Sequence, residues 1–131
     1  MNNLGKINTM SPLTWAYIGD AVYELYIREH LIEITNLKPN KLHKEAIKYV
    51  KAGAQAEILE KLQKYLTEEE KEIVRRGRNT QNHHLPKNAK PTDYMYSTAF
   101  EALIGYLYLT QNYERTNEIL QKVIEINSST N

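Results

Sequence analysis

Apolar residues recur every three or four positions along nearly the whole chain, and no stretch alternates apolar and polar residues as a half-exposed strand would. The pattern predicts an all-α fold. Ser11-Pro12 marks the start of a long helix, with Ser as cap and Pro in the first turn. This helix runs to about residue 32, with Trp15, Ile18, Ala21, Val22, Leu25 and Leu31 on its apolar side, while Tyr17, Tyr23, Tyr26 and Ile27 spread apolar surface around much of the rest. Lys38-Pro39-Asn40 breaks the chain before a second helix, about 41–52. Its core face carries Leu42, Ala46, Tyr49 and Val50, and Lys44, Lys48 and Lys51 fall on the other side. Gly53 interrupts, and a helix from about 54 to 65 carries Ile58, Leu59 and Leu62. Thr67-Glu68-Glu69-Glu70 reads as a capping box opening a helix that ends near Gly77.

Residues 79–92 are polar, contain two prolines and carry no helical stripe, so they read as a loop. A loop of this length inside a compact domain is more often functional than idle. Asp93 is placed to cap a strongly apolar helix from Tyr94 to about Leu109. A last amphipathic helix, about 113–126, turns Ile119, Leu120, Val123 and Ile124 inward.

The length fits a single domain spanning residues 1–131, with one core. Two helices that are apolar nearly all round are a lot for such a domain to cover, which points to a homodimer interface over part of that surface; a fully covered central helix pair is the alternative. The chain has no cysteine, hence no disulfide and no thiolate metal site, as suits a reducing compartment. Met1-Asn-Asn-Leu-Gly lacks the basic start and apolar run of a signal peptide. Asp20, Glu24 and Arg28 interrupt the apolar helix from Pro12, making it a poor membrane span. A soluble cytoplasmic protein is expected.

The formal net charge of +1 says little, but its distribution says more. Residues 41–90 hold 12 of the 17 Lys and Arg and only 7 of the 16 acids. Within 71–90 six basic residues (Lys71, Arg75, Arg76, Arg78, Lys87, Lys90) face one acid, Glu72. Such a local excess favours a polyanion partner, although an ordinary solvated face produces the same pattern.

Two carboxylates stand alone in apolar helical surroundings. Asp20 is the only charge between Lys6 and Glu24, and Glu101 the only one between Asp93 and Glu114. An acid buried without a partner is costly, so such residues sit beside a cation, a metal or a donor network. Neither has a local Lys or Arg, and a divalent ion shared by two helices accounts for both. Gly19, Ala102 and Gly105 are small enough to let those helices cross closely. The competing structural reading hydrogen-bonds Asp20 to backbone or tyrosine hydroxyls, Tyr17 and Glu24 sharing its face. His30, His43, His83 and His84 lack a catalytic context, and the chain has no Gly-rich phosphate loop.

These two segments also carry a family resemblance. Gly19-Asp20-Ala21-Val22 resembles the Gly-Asp-Ala core of the ribonuclease III signature, and Phe100-Glu-Ala-Leu-Ile-Gly105 resembles that family's second acidic helix. Tyr17-Ile-Gly-Asp, Ala54-Gln-Ala-Glu-Ile-Leu59, Arg76-Gly-Arg-Asn79 and Tyr96-Ser-Thr-Ala-Phe-Glu-Ala102 fit, in order, the Mini-ribonuclease III branch, which consists of the catalytic domain alone. The resemblance implies a homodimeric, helical endonuclease domain that cleaves double-stranded RNA with Mg2+ held by Asp20 and Glu101. It implies the stem of precursor large-subunit (23S) ribosomal RNA as substrate, and leaves open whether ribosomal proteins assist. The family carries further acids at the positions of Ala16 and Thr98. Two of four carboxylates are therefore missing, and the site should rely more on water ligands.

The sequence ends at Asn131, leaving no room for the double-stranded-RNA-binding domain of most ribonuclease III proteins. RNA contacts are then expected from Lys44, Lys48 and Lys51, from Arg75, Arg76, Arg78 and Asn79, and from Lys87 and Lys90 in the loop. Cations and amides suit a duplex, read by shape and phosphates, and residues 71–90 contain no aromatic to stack on a base. A non-catalytic duplex-RNA-binding module on a degenerate ribonuclease III fold is the alternative that Ala16 and Thr98 suggest. A helical dimerisation adaptor, which would show no salt-sensitive RNA binding, is a third.

Overall fold

The structure, a computed structural model, describes residues 3–80 and 90–129, with side chains through Ser128. Among the described residues seven α-helices follow one another: α1 (Leu4–Thr9), α2 (Pro12–Ile34), α3 (Pro39–Val50), α4 (Ala52–Leu62), α5 (Glu68–Asn79), α6 (Pro91–Leu109) and α7 (Tyr113–Ser129), with a 3-10 turn at Gln63–Tyr65 extending α4. No strand occurs among the described residues. None of the described helices is long and apolar enough to cross a membrane.

Local chemistry sets most of the ends. Ser11 Oγ accepts from the Leu13 N–H at 3.1 Å, with Pro12 in the first turn of α2. At α5 the capping box is complete: Thr67 Oγ1 accepts from the Glu70 N–H at 3.1 Å, and Glu70 Oε1 from the Thr67 N–H at 3.0 Å. Glu70 also receives the Arg115 guanidinium at 2.8 Å on each oxygen, and Arg115 reaches Tyr65 O at 2.9 Å, which ties α7 to the start of α5. Three boundaries differ from expectation. Pro39 is the first residue of α3 rather than a break before it, and the chain turns at extended Lys51, so Gly53 lies inside α4. Pro91 likewise opens α6, so Asp93 sits in its first turn instead of capping it.

Helix α6 is the axis of the fold, burying Ser97, Thr98, Ala99, Phe100, Ala102, Leu103, Ile104, Gly105 and Leu107. It packs most extensively against α2, then against α5 and α4. The α2 side of this contact is not the stripe expected. Trp15, Ala16, Gly19, Tyr23, Ile27 and Leu31 are buried, whereas Ala21 is exposed and Leu25 is 60% exposed. Spacing by four through Gly19 won because only glycine admits the backbone of α6. A Cβ on Gly19 would lie 1.8 Å from the Glu101 carbonyl oxygen, and one on Gly105 would lie 1.7 Å from that of Trp15. Gly77 serves a similar purpose: it does not end α5 but lets it approach α6, its Cβ position 2.9 Å from Ala99 Cα.

Helix α1, which the hydrophobic pattern did not reveal, straps one end of the α2–α6 pair. The Trp15 indole N–H donates to Ile7 O at 2.9 Å, and the Tyr106 hydroxyl to Asn8 Oδ1 at 2.6 Å.

Candidate active site

The crossing at Gly19 and Gly105 decides where the two lone acids go. Asp20 follows Gly19 directly, and the Glu101 backbone is the group pressed against Gly19. Their carboxylates come within hydrogen-bonding reach of each other. They share an open cleft of about 540 Å³ with Leu13, Ala16, Tyr17, Ile18, Ala21, Tyr94 and Thr98. The picture of two buried, partnerless acids needs correction. Asp20 is exposed, Glu101 is half-buried, and Asp20 is the acid that acts most strongly on Glu101. Ala16 and Thr98, where the family resemblance would place further acids, line the same cleft.

The electrostatics follow from this geometry. Burial, then the hydrogen bond and negative charge of Asp20, push the Glu101 carboxyl up from its ordinary 4.5 to about 8; Glu24 adds to the rise and a donated hydrogen bond from Gln55 opposes it. Two carboxylates this close favour sharing a proton over both ionising. A divalent cation in the proton's place relieves the same repulsion with more charge, and such binding releases protons. The donor set therefore fits a hard cation that keeps several waters and takes one or two carboxylates. Among the described residues no group of three or more His, Asp or Glu is placed to hold a metal, so water and substrate would supply the remaining ligands.

Other acids and histidines are arranged differently. Glu24 is near enough to influence Glu101 but is paired with Arg28 at 2.6 Å. Asp93 lines a separate groove and lies beside Gly53. His30 packs edge-on against Tyr49, and His43 lies by a small cleft between α2 and α3.

The basic residues form two groups flanking α4. Lys48 and Lys51, with Lys61, line one groove, and Lys44 is exposed on the same helix as Lys48. Lys71, Arg75 and Arg78 line the other, a groove of about 970 Å³ bounded by α4, α5 and the start of α6. The Arg75-Arg76-Gly77-Arg78 segment is helical, and its arginines diverge. Arg75 pairs with Glu72 at 2.9 Å, and Arg78 lies 3.3 Å from Asn79 Oδ1. Arg76 instead lies over the Trp15 ring, 4.7 Å from its centroid, and donates to Asn8 O at 3.4 Å. Asn79 ends α5 and Lys90 precedes α6, both exposed, whereas Lys87, His83 and His84 fall outside the described residues.

One participant escaped notice as a site residue. Gln55, 1% exposed on α4, donates from Nε2 to Val50 O at 2.8 Å and to Glu101 Oε2 at 3.4 Å. Its only sequence signal was membership in the Ala54–Leu59 motif.

The ribonuclease III domain model matches residues 13–112. The chain belongs to the ribonuclease III family. It is 53% identical to the Mini-ribonuclease 3 of Symbiobacterium thermophilum, covering 86% of this chain and 87% of that one. Against the Mini-ribonuclease 3 of Streptococcus pneumoniae it is 47% identical, over 91% of this chain and 94% of the relative. A crystal structure of a Fusobacterium nucleatum protein superposes with a TM-score of 0.81 at 32% identity, covering 92% and 97% of the two chains. Ribonuclease III membership makes the chain an endoribonuclease acting on double-stranded RNA, within a family of metal-dependent nucleases.

Proposed function

We propose that this single-domain, cytoplasmic ribonuclease III protein is a Mg2+-dependent enzyme that trims the stem of precursor 23S ribosomal RNA, with Asp20 and Glu101 holding the ion. The observation that carries this reading is the convergence of those two carboxylates at the Gly19–Gly105 crossing. Bound magnesium would supply an activated water and neutralise charge on the phosphoryl group. Exposed Asp20 on α2 and half-buried Glu101 on α6 would hold the ion between them. The bare walls at Ala16 and Thr98 leave room for water ligands.

The duplex would be gripped on both sides of α4: Lys44, Lys48 and Lys51 on one, Arg75, Arg78, Asn79 and Lys90 on the other, with Lys87 from the connecting segment. Arg76 contributes to RNA binding by holding α5 against Trp15 rather than through a free side chain. A homodimer is supported by an uncovered apolar stripe on α2, where Tyr17 is 83%, Leu25 60% and Ile32 64% exposed, running alongside Asp20. Two sites related by the dimer axis would each cut one strand, giving staggered ends with 5′ phosphates. Ribosomal proteins bound to the precursor are candidate helpers.

The test is cleavage of an end-labelled precursor 23S stem beside an unrelated duplex of equal length, with Mg2+ and with chelator. Discrete cuts in the precursor stem, dependent on Mg2+ and leaving 5′ phosphates, are expected. Binding of both duplexes with no cut in either supports instead the non-catalytic module, which the bare positions at Ala16 and Thr98 favour.

A further inference from the structure

Gln55 is a polar side chain with no packing reason to be polar. It is 1% exposed on α4, and its Oε1 is buried with no hydrogen-bond partner among the described residues. An unsatisfied buried amide oxygen is destabilising, and Leu or Met would fill the same space without it. What the amide provides is its nitrogen. Nε2 carries two hydrogens; one goes to Val50 O at 2.8 Å, and the other points to Glu101 Oε2 at 3.4 Å. The Val50 bond also fixes which way the amide faces, because the flipped amide would set Oε1 against a carbonyl oxygen. The turn between α3 and α4 thereby aims a donor at one oxygen of Glu101.

We propose that Gln55 is a positioning residue for the catalytic centre: its amide N–H pins Glu101 Oε2 so that the other carboxylate oxygen faces Asp20 and the cleft. This rests on the reading that Glu101 holds the ion. Free Glu101 has several rotamers, and only those converging on Asp20 present two carboxylates to one cation. Carboxylate ligands are commonly held by such a hydrogen bond, and loss of the partner typically weakens metal binding or activity about 10- to 100-fold.

The experiment titrates Mn2+ alone into the RNA-free full chain, following free Mn2+ by its spin-resonance signal, for wild type, Gln55→Met, Glu101→Gln and the double variant. Expected are an affinity about 10- to 100-fold weaker in Gln55→Met, loss of the site in Glu101→Gln, and no further loss in the double variant. In cleavage assays Gln55→Met should lower kcat at unchanged KM for duplex. Wild-type affinity in Gln55→Met, with the site lost in Glu101→Gln, overturns the positioning role and leaves the acid site standing. Wild-type affinity in Glu101→Gln overturns the acid site itself and this inference with it. If Gln55→Met does not fold, the Gln55 side-chain amide resonances of the wild type decide. They should move when Mg2+ alone is added and stay fixed in Glu101→Gln; resonances indifferent to Mg2+ in wild type overturn the proposal.

Discussion

Replacing Gly105 by Ala sets two well-defined effects against each other. In a helix interior, Gly→Ala gains about 1 kcal/mol from propensity alone. Here the new methyl carbon would stand 1.7 Å from the Trp15 carbonyl oxygen and 2.7 Å from its carbon, where 3.4 Å begins ordinary contact. Backbone lies on both sides, so no side chain can swing away, and α2 and α6 must part by more than an ångström. Overpacking typically costs about 1–3 kcal/mol and occasionally more. Parting packed helices by about 0.5–1 Å also forfeits a quarter to a half of the dispersion attraction between them. We expect a net loss of about 3 kcal/mol or more, a large share of the roughly 5–15 kcal/mol that stabilises a domain. Urea unfolding of Gly105→Ala measures it, with Gly5→Ala as control, whose added carbon meets nothing closer than 3.5 Å. A Gly105→Ala protein as stable as wild type would refute the argument that this crossing is a backbone-to-backbone contact.

Gly19→Ala should behave alike and, by moving Glu101 away from Asp20, weaken divalent-ion binding in whatever fraction remains folded. In chelator, native Glu101 keeps its proton up to about pH 8 while the unfolded chain releases it near 4.5, so the native state binds more protons between these values and stability falls as pH rises through them. Glu101→Gln should therefore gain in Tm relative to wild type from pH 5 to pH 8; a constant gap would contradict the raised carboxyl. Arg115→Ala strands Glu70, whose side chain is only 9% exposed, and should cost about 3 kcal/mol in urea unfolding, while a loss near zero would show the pair to be dispensable. Arg78→Ala should weaken duplex binding and make the salt dependence of that binding shallower by about one unit of slope, the share of a single neutralised phosphate; an unchanged slope would remove Arg78 from the interface.

Helices α2 to α7 and two of their caps were legible because their signals are local: Ser11-Pro12 and the Thr67–Glu70 box carry their own hydrogen-bond partners. The close crossing was legible too, since Gly19 and Gly105 stand beside the two lone acids. The buried face of α2 was not. Tyrosines, leucines and isoleucines surround that helix, so apolarity alone does not choose a side, and the choice falls to the glycine that admits α6. The divergence of Arg75, Arg76 and Arg78 was hidden for a similar reason: adjacent residues on a helix point about 100° apart, and Trp15, the partner that captures Arg76, is remote in sequence. Gln55 acquires meaning only when α4 is laid against α6.

The most direct test of the central claim is single-turnover cleavage of a labelled RNA duplex across a Mg2+ titration, wild type beside Asp20→Asn, with duplex binding measured in parallel without metal. Cleavage that rises with Mg2+ in wild type and is lost in Asp20→Asn, at equal duplex affinity, is the expected result. Equal cleavage by both proteins would contradict the account and move the reaction away from the Asp20–Glu101 cleft.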